Sequence, residues 1–156
     1  MTSPPRCTPL SDALADPPAA PGPLVGILVG SESDRQAMEG ATKELDARGI
    51  TWEFNVLSAH RNPREVADYA TTAEGRGVRV LITGAGLAAA LPGVVAAHSD
   101  LPVIGVPLRS SKSVLDGLDA MLAIAQMPPG VPVACVGVDS SRNAAVLAAR
   151  ILRLLD

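Results

Sequence analysis

The sequence predicts an α/β fold in which a five-stranded parallel sheet lies between two layers of helices. Five short apolar runs alternate with five segments of helical periodicity, which is the pattern of such a fold. The runs are almost continuously apolar, as is typical of strands covered on both faces. With 156 residues, 47% of them hydrophobic, the chain is long enough for one domain with its own core.

The predicted strands are the apolar runs bounded by turn residues, and they are residues 24–29, 52–57, 78–83, 102–106 and 131–138. Helices are predicted over residues 34–48, 63–76, 114–126 and 143–155, and a Gly/Ala-rich loop with a short helix over 84–98. The first helix ends before Gly49, and the second begins with Pro63 at its first position. In the last helix, apolar residues recur at spacings of 3, 4 and 3, from Ala144 to Leu154.

Residues 1–23 differ from the rest because they hold seven of the 14 prolines. Proline lacks an N–H and interrupts helices and sheets, so we expect a flexible leader followed by one domain over residues 24–156. The leader has no apolar segment of the kind found in secretory signals. Cys7 and Cys135 lie far apart in sequence and are interpreted as reduced thiols, which favours a cytoplasmic protein.

Composition argues against several classes of protein. The net charge of -3 and the 2% aromatic content do not fit a protein that binds nucleic acid. Residues 80–98 form a long uncharged run, but three glycines and Pro92 interrupt it, so a core segment is expected rather than a membrane span. No cluster of Cys, His and Asp has the spacing of a metal site.

In open parallel sheets, ligands bind beyond the carboxyl ends of the strands, so the loops after the strands are the candidates for function. After the first strand, residues 30–34 (Gly-Ser-Glu-Ser-Asp) offer either an anion site at a helix start or a simple helix cap. After the second strand, His60 could transfer protons and Arg61 could bind phosphate. The alternative there is a solvated helix entry.

The third and fourth loops are less specific. Residues 84–93 are small enough for a ligand to approach the backbone, but tight helix–sheet packing is the better interpretation of Ala88 and Ala89. Their glycine spacing is not that of a dinucleotide-binding loop. Residues 107–113 contain Arg109 and Lys112 and could be a substrate lid or a solvated loop.

Together these loops resemble the PurE family of 5-(carboxyamino)imidazole ribonucleotide mutases, over about residues 24–155. The resemblance rests on ordered motifs, namely Gly30-Ser31-Glu32-Ser33-Asp34, Ser58-Ala59-His60-Arg61-Asn62-Pro63, Gly84-Ala85-Gly86, Leu91-Pro92-Gly93, Gly117-Leu118-Asp119, Ile124-Ala125-Gln126-Met127-Pro128 and Asn143-Ala144-Ala145. It implies a flavodoxin-like three-layer sandwich, a homo-octamer, no metal and no organic cofactor. The implied partners are an aminoimidazole ribonucleotide and CO2, with neither nucleic acid nor a membrane.

The resemblance also implies a role for individual residues. His60 would move the proton while a carboxylate passes from the exocyclic amine to ring carbon 4. The substrate phosphate and ribose would be bound by Ser31, Ser33, Asp34, Ser58 and Arg61. The pocket for the carboxylate and CO2 would be formed by Ala59, Gly84, Ala85, Gly86, Leu87, Ala90 and Leu91.

Three positions depart from the family pattern. The family usually has glycine at the position of Leu87, histidine at that of Ala90 and tryptophan at that of Arg35. Three interpretations follow: a mutase with a relaxed pocket wall, a paralogue that decarboxylates or carboxylates a related heteroaromatic nucleotide, and a non-catalytic nucleotide-binding scaffold. The presence of His60 weighs against the third.

Overall fold

A computed structural model describes residues 22–155, so nearly all of the predicted leader lies outside the described residues. Its five strands are β1 (Val25–Val29), β2 (Trp52–Val56), β3 (Val80–Ala85), β4 (Val103–Pro107) and β5 (Ala134–Cys135). All are parallel, in the order β2-β1-β3-β4-β5. This order is that of flavodoxin-like folds, and the predicted fold class is confirmed.

The helices are α1 (Glu39–Ala47), α2 (Pro63–Ala73), α3 (Ala90–Ala97), α4 (Leu118–Ala125) and α5 (Ser141–Leu152). Helices α1 and α5 cover one face of the sheet, and α2, α3 and α4 cover the other. Successive residues of β1 point to opposite faces of the sheet. Ile27 packs in the core beneath α1 and α5, and Leu28 packs in the core beneath α2, α3 and α4. No described helix has the length and hydropathy needed to cross a bilayer.

The start of the first helix and the length of the fifth strand differ from the prediction. The predicted first helix begins as two 3-10 turns, Glu32–Asp34 and Gln36–Met38, before α1 starts at Glu39. Such turns are common at helix starts. The fifth strand is much shorter than predicted, because only Ala134 and Cys135 pair with β4 at this edge of the sheet.

The helix after β4 also begins later than predicted, whereas the helix after β3 lies within the predicted loop and short helix over residues 84–98. Strand β3 continues to Ala85, and a turn closed by the Ala89 N–H donating to the Gly86 carbonyl (2.9 Å) precedes α3. Helix α4 begins at Leu118, after Gly117 with a positive φ of 92°. In both cases, the residue directly before the helix has a left-handed backbone conformation. Glycine favours that conformation at residue 117, whereas alanine gives no sign of it at residue 89.

Strand β1 lies between β2 and β3, so the connections leaving β1 and β3 run to opposite faces of the sheet. At such a reversal of strand order the loops separate and leave a crevice. The loops after β1, β2 and β3 are therefore brought to one crevice at the carboxyl edge.

Candidate active site

The loops after β1, β2 and β3 meet around a cavity of about 160 Å³. It is lined by Gly30, Ser31, Asp34, Ser58, Ala59, His60, Arg61, Ala85, Gly86, Ala89, Ala90 and Leu91. One side is therefore polar, with hydroxyls, a carboxylate, an imidazole and a guanidinium, whereas the other consists of glycine, alanine and leucine.

Arg61 joins the first two loops. Its Nη2 donates a hydrogen bond to the Gly30 carbonyl (2.7 Å), and its backbone N–H donates to Ser58 Oγ (3.3 Å). A guanidinium carries five N–H donors, so this contact fixes the side chain and leaves donors for an anionic ligand. The arrangement places a permanent positive charge at the rim of the cavity.

His60 lies in a turn held by its neighbours. The Asn62 N–H donates to the Ser58 carbonyl (2.7 Å), and the Ser58 N–H donates to Asn62 Oδ1 (3.4 Å). Pro63 then begins α2. Ser58 is buried beneath the turn, while His60 is exposed at the mouth of the cavity. A side chain in this position can reach a bound ligand and also exchange protons with solvent.

The first loop presents a hydroxyl and a half-buried carboxylate. Ser31 Oγ accepts hydrogen bonds from the Ser33 N–H (3.4 Å) and the Ser33 hydroxyl (2.9 Å). Burial raises the pKa of Asp34, and hydrogen bonds from Ser31 and Ser33 and the charge of Arg61 oppose that rise only in part. A partly desolvated carboxylate gains from accepting hydrogen bonds, so Asp34 is suited to bind ligand hydroxyls.

The third loop forms the apolar wall through its backbone conformation. Ala89 has φ 43° and is buried against the cavity, whereas Leu87 has φ 54° and is 43% exposed. A Cβ on Gly86 would lie 3.0 Å from the Leu108 carbonyl oxygen, and one on Gly84 would lie 2.7 Å from Met38 Sδ. These two glycines allow β3 and its loop to pack closely against their neighbours.

The structure brings together all of the sequence-predicted site residues except Ser33, Gly84 and Leu87. Ser33 supports Ser31, Gly84 lies within β3, and Leu87 turns toward solvent. Sequence reasoning missed Ala89, which was assigned to packing, because its left-handed backbone is not visible in the residue type. Gly30, which ends the run before the first loop, also belongs to the lining.

Two cations considered from the sequence lie away from the cavity lining. Arg35 pairs with Glu32 and stacks over Phe54, with its guanidinium carbon 4.3 Å from the ring centroid. Arg109 pairs with Asp116 in its own loop (3.2 Å) and with Asp139 in the loop after β5 (3.3 Å). Since both guanidiniums have carboxylate partners, neither is offered to a ligand in this conformation.

A larger open groove of about 820 Å³ lies at the opposite edge of the sheet, around His98 and the start of β4. Its charged lining consists of the carboxylates of Glu74 and Asp100, with neither arginine nor lysine to bind an anion. Within residues 22–155, no group of three or more His, Cys, Asp or Glu side chains is placed to bind a metal ion. The small cavity is therefore the candidate site, on the chemistry of its lining.

Replacing Leu87 by glycine is expected to stabilise the fold. A left-handed conformation costs a non-glycine residue roughly 1 kcal/mol or more, and the exposed side chain contributes little packing. We expect a gain of about 1 kcal/mol in the free energy of unfolding, measured by urea denaturation. Lys43, exposed within α1, is the matched control, since glycine there should lower the free energy of unfolding by a similar amount. A loss of stability in Leu87→Gly would contradict the assigned strain.

Known proteins of one family are similar to this chain over most of its length. The AIR carboxylase family model matches residues 24–156. The N5-carboxyaminoimidazole ribonucleotide mutase of Pyrococcus abyssi is 53% identical over 132 residues, which cover 85% of this chain and 75% of that protein. The phosphoribosylaminoimidazole carboxylase of Schizosaccharomyces pombe is 52% identical over 130 residues, 83% of this chain but only 23% of the longer fungal protein.

A solved structure of a PurE protein has the same fold as this chain. The crystal structure of Treponema denticola PurE superimposes with a TM-score of 0.75 at 35% sequence identity, covering 86% of this chain and 82% of that one. The family match spans the whole described domain, and the relatives are similar over most of its length. The chain therefore belongs to the AIR carboxylase family.

Proposed function

We propose that this protein is an N5-carboxyaminoimidazole ribonucleotide mutase, an isomerase of purine biosynthesis. It moves a carboxylate from the exocyclic amine of an aminoimidazole ribonucleotide to ring carbon 4. The observation that carries the proposal is the convergence of His60, Arg61, Ser31, Ser58 and Asp34 on one cavity with a small-residue wall. The names of the mutase relatives from Pyrococcus abyssi and Mycobacterium leprae support it.

The polar side of the cavity is assigned to the phosphate and the ribose. Arg61 donates to the phosphate from a position fixed by Gly30, and the hydroxyls of Ser31 and Ser58 add further donors. Asp34 accepts hydrogen bonds from the ribose hydroxyls, which compensates its partial burial. Ser33 contributes by orienting the Ser31 hydroxyl. Binding energy from these groups holds the ring in position for reaction.

His60 is assigned the proton transfers. The bond between the exocyclic nitrogen and the carboxylate carbon breaks, CO2 is released, and protonated His60 donates its proton to the nitrogen. Ring carbon 4 then forms a bond to the carbon of CO2, and His60 removes the proton from ring carbon 4. The imidazole ends as it began, so the reaction is an isomerisation without net proton transfer.

The apolar side of the cavity is assigned to CO2. Ala59, Ala85, Gly86, Ala90 and Leu91 present no charged group to a small neutral molecule. Retaining CO2 beside the ring makes recombination effectively unimolecular. Ala89 is added to this wall. Gly84 lies within β3 and Leu87 is exposed, and the sequence-based place of these two residues in the wall stays a prediction. Of the two departures in this loop, only Ala90 therefore lines the cavity.

A carbon-13 NMR time course tests the function. The full chain is mixed separately with the carboxyamino compound and with the ring-carbon isomer, each labelled in the carboxylate. Interconversion of the two labelled carboxylates, absent with His60→Asn, is the expected result. Label that appears only as bicarbonate would replace the proposal with a decarboxylase. Absence of reaction together with retained nucleotide binding would favour a scaffold.

The protein is further proposed to assemble as a homo-octamer in the cytoplasm. Helix α4 and the segment before it expose Val114 (85%), Leu115, Leu118 and Leu122. A cluster of exposed large apolar side chains is typical of a protein interface, and these lie on one short stretch of chain. Covering them with further copies of the chain would remove this apolar surface from water.

Charged substitution on α4 is expected to dissociate the assembly. Leu118→Asp combined with Leu122→Asp would bury two carboxylates in the proposed interface, which costs several kcal/mol. Analytical ultracentrifugation should then show a smaller species at micromolar concentration, with circular dichroism unchanged. Ala47→Asp, on the exposed side of α1, is the control and should keep the parent mass. An unchanged mass in the double variant would place the interface elsewhere.

A further inference from the structure

A second concave surface lies at the end of the sheet opposite the candidate active site. It is a groove of about 500 Å³, lined by Leu24, Arg48, Ile50, Arg79, Ala149, Leu152, Arg153 and Leu155. These residues come from the starts of β1, β2 and β3 and from the carboxyl ends of α1 and α5. We call this surface the arginine groove.

The arginine groove combines an apolar floor with positive charge. Leucine, isoleucine and alanine side chains form the floor, and three arginines border it. Arg48 has a carboxylate partner, with its Nη2 2.7 Å from Glu44 Oε1. Arg79 donates only to the carbonyls of Glu74 and Val78 (3.3 Å each), and within residues 22–155 no carboxylate pairs with Arg79 or Arg153. The groove thus fits an occupant that is both apolar and acidic.

One segment of this chain has that composition. Residues 10–16 (Leu-Ser-Asp-Ala-Leu-Ala-Asp) are the longest proline-free stretch of the leader that also contains large apolar residues. They hold two leucines and two aspartates and no cation. Leu10 and Leu14 could pack on the apolar floor, and the negative charges of Asp12 and Asp16 are complementary to the arginines.

The chain enters the fold beside this groove. The Leu24 N–H donates to the Thr51 carbonyl (2.9 Å), and Thr51 Oγ1 donates to the Gly22 carbonyl (3.0 Å), which fixes the point of entry next to Ile50. Residues 17–23 connect this point to the acidic segment, and four of them are prolines. At roughly 3.1 Å per residue, seven residues in an extended proline-rich conformation reach about 20 Å. Because so few residues separate it from this anchored point, the segment has a high local concentration near the groove.

We propose that residues 10–16 bind in the arginine groove, with Leu10 and Leu14 on its floor and Asp12 and Asp16 paired with Arg79 and Arg153. The interaction is intramolecular and does not depend on the proposed function of the active site. It gives the leader a defined place on the surface and covers the exposed side chains of Leu24 and Leu155.

Hydrogen exchange of the full chain, followed by mass spectrometry of the peptide over residues 8–16, tests the proposal. We expect exchange at least about tenfold slower than the intrinsic rate. Arg79→Asp combined with Arg153→Asp should return this peptide to the intrinsic rate. Arg150→Asp, an exposed arginine of α5 outside the groove, is the matched control and should leave the protection intact. Unchanged protection of β1 and β3 in each variant verifies the fold.

A charge exchange makes the test specific. Asp12→Arg with Asp16→Arg, added to the Arg79→Asp and Arg153→Asp variant, should restore protection of residues 8–16. Failure to restore it would overturn the proposed charge pairing. Exchange at the intrinsic rate in the unmodified protein would overturn the docking itself. Concentration-dependent protection of the end of α5, with a freely exchanging leader, would assign the groove to a second copy of the chain instead.

Discussion

His60→Asn is expected to reduce turnover by about a thousandfold or more while leaving substrate binding nearly unchanged. Asparagine keeps a polar side chain of similar reach but cannot exchange a proton near neutral pH, and general acid–base catalysis contributes typically 10²–10⁴-fold. His60 is exposed in a turn held by Ser58 and Asn62, so the substitution should not disturb the fold. Steady-state kinetics and calorimetric titration with the ribonucleotide measure the two effects separately.

His98→Asn is the matched control for this prediction. His98 is exposed at the end of α3, at the edge of the sheet away from the small cavity, and its loss should leave turnover unchanged. Full activity in His60→Asn would remove His60 from the proton transfers. Equal losses of turnover and of binding would instead make His60 a binding residue.

Arg61→Ala is expected to weaken ribonucleotide binding by roughly 10- to 100-fold. A hydrogen bond to a charged group contributes about 1.5–3 kcal/mol, and the substitution also removes the contact that ties the second loop to the Gly30 carbonyl. The affinity for the dephosphorylated nucleoside should fall much less, because the phosphate is the group that Arg61 binds. Calorimetric titration with both compounds gives the comparison.

Arg64→Ala provides the control, since Arg64 is an exposed arginine in the first turn of α2 and does not line the cavity. It should bind both compounds as the unmodified protein does. If Arg61→Ala weakened nucleoside and nucleotide binding equally, Arg61 would act by holding the loops rather than by binding phosphate. Arg61→Lys adds a further comparison, because lysine keeps the charge but loses the fork of donors.

The strands and helices could be predicted because hydrophobic periodicity is a local property. The period of 3.6 in residues 144–154 and the apolar run of β1 identify their elements without knowledge of the rest of the chain. Even so, the length of β5 could not be read from its sequence. Its apolar residues 131–138 resemble a full strand, but pairing at a sheet edge depends on how the neighbouring strand presents its backbone.

The candidate site was predictable to the extent that its residues directly follow strands. Ser31, Ser58, His60 and Arg61 lie at the ends of apolar runs, and parallel strands bring such ends to one edge. The orientation of the third loop was not predictable. Whether residue 87 or residue 89 faces the cavity depends on the left-handed backbone conformations of Leu87 and Ala89. Neither residue type favours that conformation, so the sequence does not predict it. Leu87 is 43% exposed and does not line the cavity in this conformation, and its place in the pocket wall stays a prediction.

Strand β1 lies between β2 and β3 with all five of its residues buried, and its two ends border the arginine groove and the small cavity. Leu24 borders the arginine groove at one end, and Gly30 borders the cavity at the other. At roughly 3.3 Å per residue, six steps along the strand separate them by about 20 Å. Substitutions this far apart without shared partners have additive free energies. Charge reversal in the groove and truncation of Arg61 should therefore combine as the sum of their separate effects, which allows the two surfaces to evolve independently.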